Sequence, residues 1–113
     1  MEFFSKEGKS SFQKFIAKED SKEIGRIFVY LIQNDLHEGA TYALIEDMFV
    51  EEEYRGKGVA SALMEQAISF AKAQKCYKII MQSRYENTQV HAWYVRLGFT
   101  DHGKNFRMNL DEK

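Results

Sequence analysis

The chain has 113 residues, of which 44% are hydrophobic, 14% aromatic and 29% charged, with a formal net charge of -1. This composition favours one globular domain over residues 1–113 and excludes a disordered tail and a strongly basic nucleic-acid-binding protein. The longest apolar run, residues 27–32, is too short to span a bilayer, and a single cysteine excludes a disulfide within the chain and a cysteine-built zinc site. With no export signal at the N-terminus, we expect a cytoplasmic protein that binds neither membrane nor nucleic acid.

The first half of the chain predicts an antiparallel meander of three strands. Residues 12–17, 24–33 and 41–50 are rich in β-branched and aromatic side chains, which fit a pleated, half-buried surface. Polar turns at residues 18–22 and 34–39 separate these segments, and such short connections are typical of antiparallel pairs.

The second half changes to helical periodicity. Val59, Leu63 and Ala67 recur every four residues and predict a helix over residues 58–74. Gly98 stands where a left-handed cap would end a second helix. In chain order, the remaining predicted elements are a buried strand, this second helix and two short strands, at residues 76–82, 88–97, 99–100 and 106–110. The order β-β-β-α-β-α-β-β indicates an α+β fold with a mixed, largely antiparallel, twisted sheet and helices packed on it.

The loop between the third strand and the first helix carries the strongest functional signal. Its sequence is Arg55-Gly56-Lys57-Gly58-Val59-Ala60-Ser61. The glycines allow a tight turn and close approach of a ligand to the backbone, and the first N–H groups of the helix have no partner within it. The helix dipole and two cationic side chains favour an anion such as a phosphate. An ordinary tight turn with surface cations is the alternative. The P-loop and the dinucleotide fingerprint are excluded, because each lacks a required glycine.

Two motifs resemble the GNAT family of N-acetyltransferases. The run Arg55-Gly56-Lys57-Gly58-Val59-Ala60 is similar to the family signature Arg/Gln-x-x-Gly-x-Gly/Ala. Downstream, residues 87–99 are similar to the family segment Asn-x-x-Ala-x-x-Phe-Tyr-x-x-x-Gly-Phe. The similarity extends from about Phe15 to Leu110. Residues 45–50, followed by Tyr54-Arg55-Gly56, also resemble the diamine N-acetyltransferase branch.

The resemblance implies an enzyme that uses acetyl-CoA and no metal to acetylate a primary amine of a small molecule or peptide. It implies that the loop, from Arg55 to Ser61, cradles the pyrophosphate of acetyl-CoA. It also implies that the backbone of Met48, Phe49 and Val50 pairs with the pantetheine arm, for which ordinary strand pairing is the alternative. Asn87 would contact the cofactor, cap the second helix, or do both.

The resemblance also implies two catalytic roles. An amine with a pKa of about 10.4 is protonated at pH 7, so the reaction needs a base, and the matching residue is Glu46. Glu46 stands two residues before Met48 on the third strand, so we expect it to share a face with Met48 and Val50, while Asp47, the second candidate, projects to the other face. Tyr94 matches the general acid that protonates or hydrogen-bonds the departing thiolate. The alternatives are a solvent-facing carboxylate and a core tyrosine.

The beginning of the chain departs from the family pattern. Family members usually begin with a strand and two helices that line the acceptor site, whereas only eleven residues precede Phe12. The resemblance therefore implies an acceptor site that is open or is completed by another subunit, and we expect a homodimer. A non-catalytic acyl-CoA-binding module of the same fold and a nucleotide-binding regulator are the alternative functions.

Overall fold

The computed structural model describes residues 1–34, 36 and 40–111. Four residues of the predicted turn at 34–39, namely 35 and 37–39, lie outside this range. The chain divides into two compact units, Met1–Met81 and Gln82–Lys113. The expectation of one domain stays a prediction.

The first unit is a four-stranded sheet with one helix. In chain order its elements are β1 (Ser11–Glu19), β2 (Lys22–Gln33), β3 (Thr41–Val50), α1 (Val59–Ala73) and β4 (Ile79–Met81). Strands β1, β2 and β3 pair antiparallel, and β4 pairs parallel to β3, which gives the spatial order β1-β2-β3-β4. This confirms the meander, the first helix and the mixed sheet. The first turn is shorter than predicted, because positive φ angles at Asp20 and Ser21 reverse the chain within two residues.

The core of this unit lies between α1 and one face of the sheet. Its fully buried large side chains are Ile27, Val29, Ile45 and Met64. The helix packs closely over Gly25 of β2. A Cβ atom at that position would lie 3.1 Å from Leu63 Cδ1, 3.1 Å from the carbonyl oxygen of Phe49 and 3.3 Å from Val59 Cγ1. The absence of a side chain at Gly25 therefore lets the helix, β2 and the end of β3 meet.

The second unit contains helix α2 (Thr88–Arg96). Gly98 has φ of +106°, and its N–H donates to the carbonyl of Val95 at 3.0 Å. The N–H of Phe99 donates to the carbonyl of Tyr94, also at 3.0 Å. These two hydrogen bonds form a left-handed C-terminal cap, so the prediction for Gly98 is confirmed.

Two strand predictions are corrected. Strand β4 covers Ile79–Met81 rather than residues 76–82, and residues 99–100 and 106–110 form no strand, so the observed order is β-β-β-α-β-α. The alternating apolar side chains of Phe106, Met108 and Leu110 are 86%, 83% and 92% exposed. Alternation favours a strand only when one face is buried, and an isolated hairpin is marginal in water. Within the described ranges, no helix combines the length and apolar character that a membrane span requires.

Candidate functional site

Strand β3 contains a bulge close to the predicted base. Two of its residues, Asp47 and Met48, stand opposite a single residue of β2, Ile27, where the register shifts. Asp47 has φ of +54°, in the left-handed region that aspartate tolerates better than most residues. Bulges redirect the side chains that follow them and are frequent beside active sites.

The bulge overturns the prediction that Glu46 and Val50 share a face. Ile45 and Val50 are both core residues, 2% and 8% exposed, although residues five apart on a regular strand point to opposite faces. The inserted residue brings both of them toward α1. Glu46, the register partner of Phe28, lies on the other face of the sheet, and its side chain is half-buried there.

The outer edge of β3 is open beyond the bulge. Pairing between β3 and β4 ends at Ile45 and Met81, five residues before β3 itself ends at Val50. Over residues 46–50, the edge that faces away from β2 has no partner strand in the described part of the chain. The predicted backbone contacts, Met48, Phe49 and Val50, lie in this stretch. An extended ligand can therefore pair with N–H and C=O groups along that edge.

The predicted anion-binding loop begins helix α1 without a side-chain cap. Gly58 is the N-cap with φ of +86°, and Gly56 has φ of +75°. A Cβ at either position would meet nothing within 4 Å, so these positions favour glycine for their backbone angles rather than for space. Because no side chain caps the helix, the N–H groups of Val59, Ala60 and Ser61 have no side-chain acceptor at the positive end of the helix dipole.

The two cations of the loop differ in their contacts. Arg55 Nε donates to the carbonyl of Val50 at 2.8 Å, and its guanidinium lies 5.6 Å from the ring centre of Phe49. The side chain therefore ties the loop back to the end of β3. Lys57 Nζ lies 5.5 Å from the ring centre of Tyr54, and the residue is exposed. Ligand contacts by either cation remain predictions.

Sequence reasoning missed Arg26, whose guanidinium lies 5.0 Å from the ring centre of Phe49, the ring that Arg55 also contacts. Arg26 and Phe49 are register partners on β2 and β3. They lie on the same sheet face as Glu46, because Phe28, the register partner of Glu46, is two residues from Arg26 on β2. A charge within an apolar strand was the available signal, and it was applied to Glu46 alone.

The second unit holds the other two predicted residues. Asn87 is the N-cap residue of α2, which is one of the positions expected for it, although its side chain makes no capping hydrogen bond. Tyr94 is half-buried, with its ring 5.8 Å from Trp93 and 6.0 Å from Phe99. Burial raises the pKa of the Tyr94 phenol, which keeps the hydroxyl protonated at neutral pH. That is the form a proton donor requires.

Comparison with known proteins identifies relatives of the chain. A model of the acetyltransferase (GNAT) family matches residues 2–99. N-alpha-acetyltransferase 30 of Schizosaccharomyces pombe is 26% identical over 98 residues, which cover 86% of this chain and 63% of that protein. Streptothricin acetyltransferase A of Bacillus subtilis is 31% identical over 97 residues, which cover 86% of this chain and 51% of that protein.

The fold is also shared with solved structures. The crystal structure of an acetyltransferase from Trypanosoma brucei matches with a TM-score of 0.76 and 25% identity, covering 89% of this chain and 69% of that one. The predicted fold is thereby confirmed. The chain spans 63% and 51% of the lengths of the two curated relatives.

Proposed function

The chain belongs to the acetyltransferase (GNAT) family, and we propose that it transfers the acetyl group of acetyl-CoA to a primary amine. The observation that carries this proposal is the combination of an uncapped helix N-terminus with the open, bulged edge of the strand just before it. The uncapped helix N-terminus suits a pyrophosphate. The open strand edge suits the amide-bearing arm that joins a pyrophosphate to a thioester. The proposal treats residues 1–113 as one N-acetyltransferase domain.

The residues present fit acetyl-CoA at both ends of this segment. The N–H groups of Val59, Ala60 and Ser61, with no competing side-chain cap, would bind the pyrophosphate oxygens. Residues 48–50 would pair with the pantetheine amides along the open strand edge, as strands do when they bind extended ligands. When bound, acetyl-CoA supplies the thioester whose acetyl group is transferred.

Glu46 acts as the base for the attacking amine. Removing a proton from an amine of pKa about 10.4 at pH 7 costs roughly 4.6 kcal/mol, so a carboxylate that accepts this proton lowers a substantial barrier. Its half-buried position on the face opposite the α1 core makes the carboxylate accessible to an acceptor. The carboxylate takes this ammonium proton, directly or through one water molecule, and the freed nitrogen lone pair then attacks the thioester carbon.

Tyr94 stabilises the leaving sulfur as the carbon–sulfur bond breaks. Because burial raises the pKa of its phenol, the hydroxyl is protonated and able to donate. A thiol with a pKa of about 8.5 is a stronger acid than a phenol of about 10, so a hydrogen bond that strengthens with the developing charge is favoured over complete proton transfer. Asn87, whose side chain is not used as a helix cap, would contact the cofactor.

Two measurements on the purified chain test this function. Acetyl-CoA should raise the melting temperature while ATP and NAD do not, since a ligand at 100 times its dissociation constant stabilises by about 2.7 kcal/mol. CoA release should then be detected with at least one member of a panel of diamines, amino acids, amino sugars and peptide N-termini. Stabilisation without acetylation would indicate a non-catalytic acyl-CoA-binding module, and the absence of stabilisation by acetyl-CoA would refute the proposal. Light scattering of the same sample tests the predicted homodimer.

A further inference from the structure

A surface pocket of about 210 Å³ lies on the first three strands, and no residue of the loop from Arg55 to Ser61 lines it. Its lining residues are Lys14, Glu23, Gly25, Arg26, Phe49 and Glu51. A water molecule occupies about 30 Å³ in the liquid, so the pocket has room for the polar end of a small molecule. Its lining contains two cationic and two anionic side chains, which makes it neutral overall.

Only two of these four charges are already matched. Lys14 Nζ lies 3.4 Å from Glu23 Oε1, so this cation and this anion neutralise each other. The remaining two, Arg26 and Glu51, form no ion pair with each other or with any other described residue. Glu51 interacts electrostatically with Lys22 but forms no ion pair with it. The pocket therefore presents one cation and one anion that no described ion pair neutralises.

Arg26 is a half-buried guanidinium held by a ring. Among the described residues, its one ring or polar side-chain contact is with Phe49, at 5.0 Å from the ring centre. A cation–π contact stabilises the charge and restricts the side chain, but it leaves the N–H donors without oxygen acceptors. A carboxylate fits such a guanidinium through two parallel hydrogen bonds.

Glu51 is fixed by its backbone rather than by its side chain. Its N–H donates to the carbonyl of Ile24 at 2.8 Å, which joins the end of β3 to β2. The half-buried carboxylate has no hydrogen-bond or ion-pair partner within residues 1–34, 36 and 40–111. An ammonium group would satisfy it.

We propose that this pocket binds the zwitterionic head group of an amino acid, with the carboxylate on Arg26 and the α-ammonium on Glu51. The inference rests on the proposed acetyl transfer and names its acceptor class, an amino acid with a second amine at the end of its side chain. Arg26 lies two residues, or about 7 Å, along β2 from Phe28, the register partner of Glu46. A lysine-like side chain spans such a distance, so its terminal amine reaches the base while the head group stays in the pocket.

The test compares acceptors that differ by one charged group. The kcat/KM for CoA release is measured with lysine, with cadaverine, which lacks only the carboxylate, and with 6-aminohexanoate, which lacks only the α-ammonium. The variants are Arg26→Gln and Glu51→Gln. Matched controls are Lys18→Gln and Glu52→Gln, which remove the same charges from exposed positions outside the pocket lining.

We expect kcat/KM of the unaltered protein to be about tenfold or more higher for lysine than for either analogue, because only lysine makes charge-assisted hydrogen bonds with both groups of its head. Arg26→Gln should lower kcat/KM for lysine roughly 10- to 100-fold, mainly through KM, with little change for cadaverine. Glu51→Gln should remove the preference for lysine over 6-aminohexanoate.

Three results would overturn the assignment. Turnover of cadaverine as fast as lysine by the unaltered protein would refute the head-group site while leaving the proposed acetyl transfer intact. Retention of the lysine preference by Arg26→Gln, or an equal loss in the control variants, would refute the role of the pocket residues. The absence of CoA release with every amine tested would refute the proposed function itself.

Discussion

Gly25→Ala adds one methyl group at the point where helix α1, β2 and the end of β3 meet. The new Cβ would lie 3.1 Å from Leu63 Cδ1 and from the carbonyl oxygen of Phe49, and 3.3 Å from Val59 Cγ1, all below the ordinary contact range of 3.4–4 Å. Leu63 can change its rotamer, but the Phe49 carbonyl belongs to the backbone of a paired strand and cannot turn away alone. Either the helix or β3 must therefore shift.

The expected cost follows from two opposing terms. Overpacking a close-packed core costs about 1–3 kcal/mol, whereas replacing glycine by alanine restricts the unfolded chain and returns about 0.4–1 kcal/mol. Subtracting the second range from the first gives a net loss of about 0–2.6 kcal/mol. Each kcal/mol lowers Tm by roughly 4–8 °C for a domain of 60–100 residues. Because Val59 is the first residue of α1, the shift should also weaken acetyl-CoA binding.

Thermal unfolding followed by circular dichroism measures the first effect, and calorimetric titration of acetyl-CoA measures the second. Gly8→Ala is the matched control, because a Cβ at Gly8 meets nothing within 4 Å. Its Tm should stay unchanged or rise slightly. If Gly25→Ala melts at the same temperature as Gly8→Ala, the close approach of α1 to β2 does not determine stability and the packing argument is wrong.

Three further substitutions test the site. Gly58→Ala should lower the free energy of unfolding by about 1–2 kcal/mol, because φ is +86° there. It should also weaken acetyl-CoA binding. In calorimetry, an effect no larger than that of Gly103→Ala would contradict this. Glu46→Gln should lower kcat most at low pH, where the amine proton is hardest to remove. If the pH–rate profile of Asp47→Asn shows the greater loss, Asp47 is the base instead. Tyr94→Phe should lower kcat about 10- to 100-fold with little change in acetyl-CoA affinity. Because burial raises the pKa of Tyr94 above its usual value of about 10, the midpoint of any activity loss through this group should lie above pH 10. An ionisation near pH 8 that disappears in Tyr94→Phe would refute that assignment.

Periodicity predicted the elements whose pattern reflects burial. The four-residue spacing of Leu63 and Ala67 is a direct trace of the α1 face that packs on the sheet, and both residues are buried. The same logic failed at residues 106–110, where Phe106 and Leu110 alternate with polar residues but are exposed. Alternation shows which residues would share a face of a strand. It contains no information on whether a partner strand or a covering layer is present.

The loop could be predicted because its requirements are local. Gly56 and Gly58 occupy left-handed conformations that glycine adopts without strain, and the helix that follows begins at Val59, next to the predicted boundary. Arg26 could not be assigned from sequence, because its contact with Phe49 depends on the register between two strands. A chain read residue by residue contains the charge and the ring, but not the pairing that joins them.

The bulge in β3 makes the structure differ from the sequence prediction at a place that matters for function. Side chains alternate with period two along a regular strand, so Ile45 and Val50 could not both enter the core of an unbroken β3. One inserted residue allows it, and Glu46 then stays on the opposite face with Arg26 and Phe49. Without the insertion, one of two side chains would be misplaced. Either Val50, at the end of β3, would be exposed to water, or the Glu46 carboxylate would enter a core whose buried members are all hydrophobic apart from glycine. An unpaired carboxylate buried in this way is far more costly than a strained residue at Asp47. The left-handed conformation of Asp47 is therefore the local strain that lets one strand anchor the core and carry Glu46, the proposed base, on its other face.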